Sequence, residues 1–195
     1  VSGTETTQNT WMDAKINGIA ITPRNGKVVE LNSLWYNALK TLENLSKRFD
    51  DLEANAIYKK EAAKHKKAFE KAFYNDKKKC LYDVLGDSKV RPNQLFAIST
   101  TYPIIKPSSE MGKAIFKIVT KKLLVKVGLR TLAKDEEGYI AEYSGDPLKR
   151  DSSYHQGPAW VWLLGLYFNA FTNIVDDEKD RLEKEKIKIE YEKYI

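Results

Sequence analysis

The chain has 195 residues, of which 42% are apolar and 31% are charged, and its net charge is +6. This composition allows a buried core and excludes a disordered chain. No apolar run approaches the roughly 20 residues of a membrane span, so no membrane partner is expected. The lysines are interspersed with glutamates instead of forming Arg-rich clusters with aromatics, which argues against a nucleic-acid partner.

The cysteine and histidine content limits the chemistry further. A single cysteine, Cys80, cannot form an internal disulfide, which favours a reducing, cytoplasmic location. The spacing of cysteine and histidine matches no metal site, so we expect neither a metal nor another cofactor. A Gly-rich phosphate loop and a Ser/Cys–His pairing are also missing from the sequence.

Apolar periodicity predicts a first pair of helices. Apolar residues recur at helical spacing from Leu31 to Leu45, which indicates an amphipathic helix of about 16 residues. Asp50 and Asp51 then offer side-chain acceptors for the start of a second helix. The predicted inward face of this second helix comprises four residues: Tyr58, Ala62, Phe69 and Phe73.

Four more helices are predicted along the rest of the chain. Residues 75–91 form a loop with a short strand at Cys80–Val84, and the third helix lies between Pro92 and Pro103. Ser109 and Glu110 resemble a capping box that opens the fourth. Residues 126–157 are predicted to be irregular; Gly157 and Pro158 introduce the fifth helix, and Asp176 and Asp177 cap the sixth. The fold class predicted is therefore all-α, in one domain over 1–195 without an internal boundary.

Polar and aromatic residues fall together in the long loops 9–30, 75–94 and 128–160. In an array of helical hairpins, the long loops gather at one end, over a common pocket. Carboxylates, amides and guanidinium groups suit the hydroxyls of a sugar, and aromatic rings suit its apolar faces. The sequence thus favours a carbohydrate site at the loop end.

Five strings in these loops, in this order, carry a family resemblance: TWMDA (10–14), VELNSLWYNAL (29–39), RPNQ (91–94), GLRTLA (128–133) and RDSSYHQGPAW (150–160). They resemble the amylo-α-1,6-glucosidase domain of glycogen debranching enzymes. The resemblance implies a partial (α/α)6 toroid, about half of a six-hairpin barrel. It also implies that 1–195 is a fragment of that domain, with glycogen or a branched α-glucan and the rest of the debranching polypeptide as partners.

The resemblance further implies hydrolysis of α-1,6-linked glucose with inversion, which needs a general acid and a general base. The acid of the family lies in the string matched by TWMDA, which makes Asp13 the candidate, with Trp11 as an apolar shield. The base of the family lies beyond the region matched here, so we expect the isolated fragment to be inactive. Substrate binding is assigned by the same resemblance to nine residues: Trp11, Glu30, Trp35, Asn37, Arg91, Asn93, Gln94, His155 and Gln156.

Structural roles stay open for several of these residues. Asp13 could cap a helix or pair with Lys15, and Glu30 could simply be a carboxylate at a helix N-terminus. Trp35 fits the core as well as a sugar platform, and Arg91 could form a local bridge to Asp83 or Asp87. Two further tryptophans, Trp160 and Trp162, are predicted to be core residues because of the apolar residues around them.

Two other functions also stay open. One is another inverting α-glycosidase, such as a relative of glucoamylase or trehalase. The other is a non-catalytic helical module that binds carbohydrate or another protein.

Overall fold

The computed structural model of the protein describes residues 4, 9–177 and 181–192. About half of these residues are α-helical, in α1 (Val29–Arg48), α2 (Leu52–Phe73), α3 (Phe96–Ser99), α4 (Glu110–Leu123), α5 (Pro147–Ser153), α6 (Leu163–Asp177) and α7 (Arg181–Glu192). Seven short strands accompany them: β1 (Lys15–Ile16), β2 (Ile19–Ala20), β3 (Tyr74–Asn75), β4 (Cys80–Leu81), β5 (Leu124–Val125), β6 (Gly128–Arg130) and β7 (Ala159–Trp160). No described helix combines the length and apolarity that crossing a membrane requires.

Helices α1 and α2 form the predicted hairpin. The carboxylate of Asp51 accepts a hydrogen bond of 3.0 Å from the N–H of Ala54, as expected of the residue that starts α2. The predicted inward face of α2 is confirmed, since Ala62, Phe69 and Phe73 are buried, and Tyr58 packs against the same core. This hairpin supplies one wall of the core.

Helices α4 and α6 supply the opposite part of the core. The hydroxyl of Ser109 accepts a hydrogen bond of 3.1 Å from the N–H of Gly112, so Ser109 caps α4. The predicted capping box with Glu110 is not formed, because Gly112 occupies the third helical position. The rings of Phe116 and Tyr167 stack between the two helices with centroids 4.7 Å apart. Thr120 hydrogen-bonds to the Tyr167 hydroxyl at 3.0 Å, which satisfies a polar group inside this contact.

The expectation of a purely all-α fold is wrong, because three small antiparallel sheets join the helices. Strands β1–β2 and β3–β4 are two-stranded hairpins, and β5, β6 and β7 form a three-stranded sheet in that order. Buried backbone groups must be hydrogen-bonded. The sheet of β5, β6 and β7 provides these hydrogen bonds where the chain leaves α4 and approaches α6. The third predicted helix is a 3₁₀ turn at Pro92–Leu95 followed by the four-residue α3.

The region 126–157, predicted to be irregular, contains β6 and α5, and the helix expected after Pro158 starts only at Leu163. The N–H of Lys149 donates to the carboxylate of Asp146, which caps α5 at 2.9 Å. Asp176 and Asp177 form the last turn of α6 instead of starting a sixth helix. Residues 178–180, directly before α7, lie outside the described residues.

Gly112 marks a point where α4 has no room for a side chain. A Cβ placed there would lie 2.4 Å from the carbonyl oxygen of Pro107 and 2.5 Å from that of Lys106. We therefore expect Gly112→Ala to lower the free energy of unfolding by about 1–3 kcal/mol, because a backbone segment has to move. Urea unfolding followed by circular dichroism measures this change.

The matched control is Gly165→Ala, because Gly165 also lies in a helix, and a Cβ added there meets nothing within 4 Å. Alanine is a better helix former, so this variant should be more stable by about 0.5–1 kcal/mol. Equal effects of the two substitutions would contradict the packing around Gly112.

Candidate functional site

The structure brings together three of the loop segments that the sequence singled out. The indole Nε1–H of Trp11 donates to Asn93 Oδ1 at 2.7 Å. The guanidinium of Arg91 donates to the carbonyl of His155 at 2.6 Å and to Gln156 Oε1 at 3.1 Å. Segments 9–30, 75–94 and 128–160 therefore meet, as predicted, at one end of the helices.

A buried ion cluster lies beneath this meeting point. Arg24 donates to both carboxylate oxygens of Glu30 and, at 2.8 and 3.0 Å, to both oxygens of Asp83. All three residues are at least 93% buried. Burial opposes the charge of Arg24, but the attraction of Asp83 and Glu30 outweighs it and raises the pKa of Arg24.

This ion cluster fixes where α1 begins. Glu30 lies in the first turn of α1, where a carboxylate is favoured by the helix dipole. The N–H of the preceding Val29 donates to the carbonyl of Asp83 at 3.0 Å. Asp83 thus holds the N-terminus of α1 in two ways. Its backbone carbonyl binds Val29 directly, and its side chain binds Arg24, which in turn binds Glu30.

Arg91 is 3% exposed and is held by the loops themselves. Its Nη1 also donates to the carbonyl of Thr131 at 3.0 Å, and its Nε lies 3.8 Å from Asp83 Oδ2. The bridge to Asp83, one of the roles left open by the sequence, is confirmed. Two guanidinium groups, those of Arg24 and Arg91, therefore face two carboxylates, those of Glu30 and Asp83.

The side-chain amides of Asn93 and Gln94, close to Arg91 in the sequence, are also hydrogen-bonded to protein groups. Asn93 Nδ2 donates to Asp83 Oδ1 at 2.8 Å, and Gln94 Nε2 donates to the carbonyl of Arg91 at 3.0 Å. Gln94 Oε1 accepts from the N–H of Leu81 at 3.3 Å. Glu30, Arg91, Asn93 and Gln94 are thus buried and bound to protein groups; their contact with glucose stays a prediction.

An aromatic wall lies above the cluster; we use this name for Trp11, Tyr143, Tyr154, His155, Trp160 and Trp162. Trp11 packs edge-to-face against His155 and Trp162, with ring centroids 5.2 and 4.9 Å apart. Tyr154 continues the wall, 4.7 Å from His155 and 4.6 Å from Trp160. Such a row of rings offers flat apolar surface beside polar tips.

The prediction that Trp162 belongs to the core is wrong, because 46% of this residue is exposed. It precedes α6, which begins at Leu163, and Leu163 is the residue that turns into the core. Trp160 is half-buried, and its Nε1–H donates to the carbonyl of Tyr154 at 3.0 Å. The apolar residues around them in the sequence therefore did not show that Trp162 is exposed while Trp160 is half-buried.

Asp13 is exposed and lies beside the wall. Strand β1 follows it, so it does not cap a helix, and among the described residues its side chain has no hydrogen bond or ion pair, including the Lys15 pair left open by the sequence. Burial lowers the pKa of His155 to about 4, and the charge of Asp13 acts against this shift, which places the two groups within electrostatic range. Glu30 and Asp83 are enclosed, whereas the Asp13 carboxylate is open.

The remaining predicted residues lie on α1. Trp35 is 46% exposed, which excludes a core position, and the Oδ1 of Asn37 accepts from the N–H of Tyr102 at 2.9 Å. Neither hydrogen-bonds to Asp13 or to the wall, and their contact with sugar stays a prediction. Sequence analysis missed Arg24, although it lies in the long loop 9–30 that was expected to contribute to the site.

Removing the charge of Asp83 should strongly destabilise the protein. Asp83→Asn keeps the shape but leaves Arg24 and Arg91 with one carboxylate between them in a buried site. We expect the free energy of unfolding to fall by about 3–5 kcal/mol. Urea unfolding measures it; the control is Lys66→Ala in the partly exposed pair Lys66–Glu70, which should cost less than about 1 kcal/mol.

His155 should make stability depend on pH. Its pKa of about 4 lies below the value near 6.5 of an exposed histidine, so between these values the unfolded chain binds a proton that the folded chain does not. Stability should therefore fall as the pH drops from about 6.5 towards about 4. The measurement is the urea midpoint across this range; His155→Gln should flatten the slope, and an unchanged slope would contradict the assignment.

Comparison with known proteins identifies the family of the chain. The sequence model of the family described as amylo-alpha-1,6-glucosidase matches residues 1–195. The glycogen debranching enzyme of Saccharomyces cerevisiae is 28% identical over 214 residues, which cover 87% of this chain and 14% of that enzyme. The chain therefore spans about one seventh of the length of this relative. On the match over its whole length, the chain belongs to the amylo-alpha-1,6-glucosidase family.

Proposed function

We propose that this chain forms the acid side of a site that hydrolyses α-1,6-linked glucose at the branch points of glycogen. One observation carries the proposal: the open carboxylate of Asp13 lies beside an aromatic wall, above a buried and charge-balanced cluster. Family membership and the yeast relative, whose name is glycogen debranching enzyme, supply the substrate class.

In this proposal Asp13 is the general acid. An inverting glycosidase protonates the leaving oxygen with one carboxyl group while a second, about 6.5–9.5 Å away, activates water on the opposite face of the sugar. The two other carboxylates of the site, Glu30 and Asp83, are held by Arg24 and have no free face for water. The base is therefore assigned to another segment of the debranching polypeptide, and this chain alone does not turn over substrate.

The binding groups divide into two layers. Trp11 and Trp162 present their rings to the sugar. His155 is only 1% exposed, packs edge-to-face against Trp11, and is an uncharged imidazole at pH 7 because its pKa is about 4. Gln156, half-buried and bonded through Nε2 to the carbonyl of Ile21 at 3.0 Å, lies at the edge of this layer. The buried Glu30, Arg91, Asn93 and Gln94 hold the loops in place beneath it.

The hairpins are proposed to be about half of an (α/α)6 toroid, as one piece of a single domain over 1–195. Helix α1 supports this arrangement, because Trp35, Leu42, Leu45 and Phe49 are 37–75% exposed on one side of it. Their spacing of seven, three and four residues is that of a helix-packing stripe. A neighbouring helix of the debranching polypeptide would cover it.

A second candidate is a module that binds carbohydrate without cleaving it. The enclosure of Glu30 and Asp83 favours it for the chain in isolation, because both carboxylates are buried and held by Arg24. The two candidates share the same sugar contacts. They differ in whether another segment brings a base to the opposite face.

Panose, a trisaccharide with one α-1,6 bond, tests the proposal. Its binding should quench tryptophan fluorescence saturably, because Trp11 and Trp162 contact the sugar. Trp162→Ala should weaken binding about tenfold, which corresponds to about 1.4 kcal/mol. The control is Phe168→Ala, an exposed aromatic residue on α6 outside the wall, which should leave the affinity unchanged.

Asp13→Asn separates binding from chemistry, because the amide keeps the shape of the acid but donates no proton. It should alter panose affinity less than about threefold, well below 1.4 kcal/mol. Release of glucose by the 195-residue chain, lost in Asp13→Asn, would contradict the assignment of the base to another segment. A chain that shows no saturable panose binding would overturn the proposed function itself.

A further inference from the structure

A second cavity, of about 480 Å³, lies next to the β3–β4 hairpin and outside the aromatic wall. Its volume falls within the range of small-molecule sites. Eight residues line it: Tyr74, Asn75, Asp76, Lys77, Lys78, Tyr82, Gly86 and Ser88. None of them belongs to the contacts described for Asp13, the aromatic wall or the ion cluster.

The cavity holds hydrogen-bonding groups that the fold leaves unused. Asn75 is 92% buried, and its Oδ1 accepts from the N–H groups of Lys77 and Lys78 at 3.1 and 3.2 Å. Its Nδ2 group has no partner within the described part of the chain. The same holds for the hydroxyls of Tyr74, Tyr82 and Ser88, so one rigid amide and three hydroxyls border a single space.

Most of the charges around the cavity are paired within the protein. Lys78 is engaged by Glu136 Oε1 at 2.8 Å and by the carbonyl of Ser88 at 2.9 Å. Asp76 pairs with Lys79 at 3.3 Å. With these two pairs formed, the exposed Lys77 leaves the lining with a net charge of about +1.

The two tyrosine rings add apolar surface to these polar groups. Tyr74 and Tyr82 both pack partly against the hydrophobic core, so their rings are held in position by buried neighbours. Tyr74 pairs with the buried Leu81 across the hairpin, and Asn75 pairs with the buried Cys80. A preformed cavity with ring faces and unpaired hydroxyl and amide groups suits a neutral, polyhydroxylated ligand.

We infer that this cavity is a second glucan-binding site, which takes the glucosyl units of a linear α-glucan chain away from the branch point. The choice of an α-glucan over another sugar rests on the proposed function. Tyr82 lines the cavity and the next residue, Asp83, belongs to the buried ion cluster, so the same loop borders both sites. A branched glucan carries several chains, so one molecule can occupy both sites at the same time.

Calorimetry with maltohexaose, a linear α-1,4 glucan, tests this inference. Wild type should show two classes of site, and Tyr82→Ala should weaken one class about tenfold. Asn75→Asp keeps the oxygen that caps the turn but removes the donor, and should weaken the same class about fivefold. The matched control is Tyr58→Ala, a half-buried tyrosine on α2 that does not line the cavity; it should leave both classes unchanged.

Trp162→Ala distinguishes the two sites, because no tryptophan lines the second cavity. It should weaken only the class that Tyr82→Ala leaves intact. If Tyr82→Ala and Asn75→Asp change neither class, the inference is overturned and the proposed function stands. A single class that is lost in Tyr82→Ala and kept in Trp162→Ala supports the inference, whereas the absence of any binding of maltohexaose overturns it. In both cases the proposed function is decided separately by the binding of panose.

Discussion

The enclosure of Arg24 between Glu30 and Asp83 is the interaction on which the candidate site depends. Removing charges from water costs several kcal/mol per ion, and only close geometry with further hydrogen bonds offsets that cost. Here the guanidinium contacts all four carboxylate oxygens, and Arg91 brings the second positive charge to Asp83. The pairs hold together three segments that are far apart in the chain, at residues 24–30, 83 and 91.

This buried cluster also determines the orientation of the exposed surface above it. Asp83 Oδ1 accepts from Asn93 Nδ2, which directs the Oδ1 of the same amide towards the indole N–H of Trp11. Trp11 in turn packs edge-on against His155 and Trp162. The buried charge of Asp83 thereby fixes the position of the Trp11 ring, through two hydrogen bonds in a low-dielectric environment. Trp11 is one of the rings of the proposed carbohydrate-binding surface.

The helices were predictable where local rules decide them. Asp51 and Ser109 cap α2 and α4 within three residues of themselves, and apolar spacing marked the inward face of α2. On α1 the predicted apolar face is largely exposed, since Leu39 is buried but Trp35, Leu42 and Leu45 are 37–46% exposed. Strands β6 and β7 were not predictable, because their pairing joins residues near 129 and 160 and depends on the packing between them. For the site, composition indicated which loops meet. It did not indicate which polar side chains face inward, because partners such as Arg24 and Asp83 lie 59 residues apart.

The division between enclosed and open carboxylates supports the proposal that Asp13 is the general acid. Both oxygens of Glu30 and of Asp83 accept from Arg24, so neither has a free position from which to deliver a proton. Asp13 has no such partner among the described residues, and the rings of Trp11 and His155 lie near it. In the proposed function, a sugar stacked on this wall would exclude water from the space around the carboxyl group. Under this proposal, substrate binding itself would complete the enclosure of the Asp13 carboxyl group, which Arg24 does not hold.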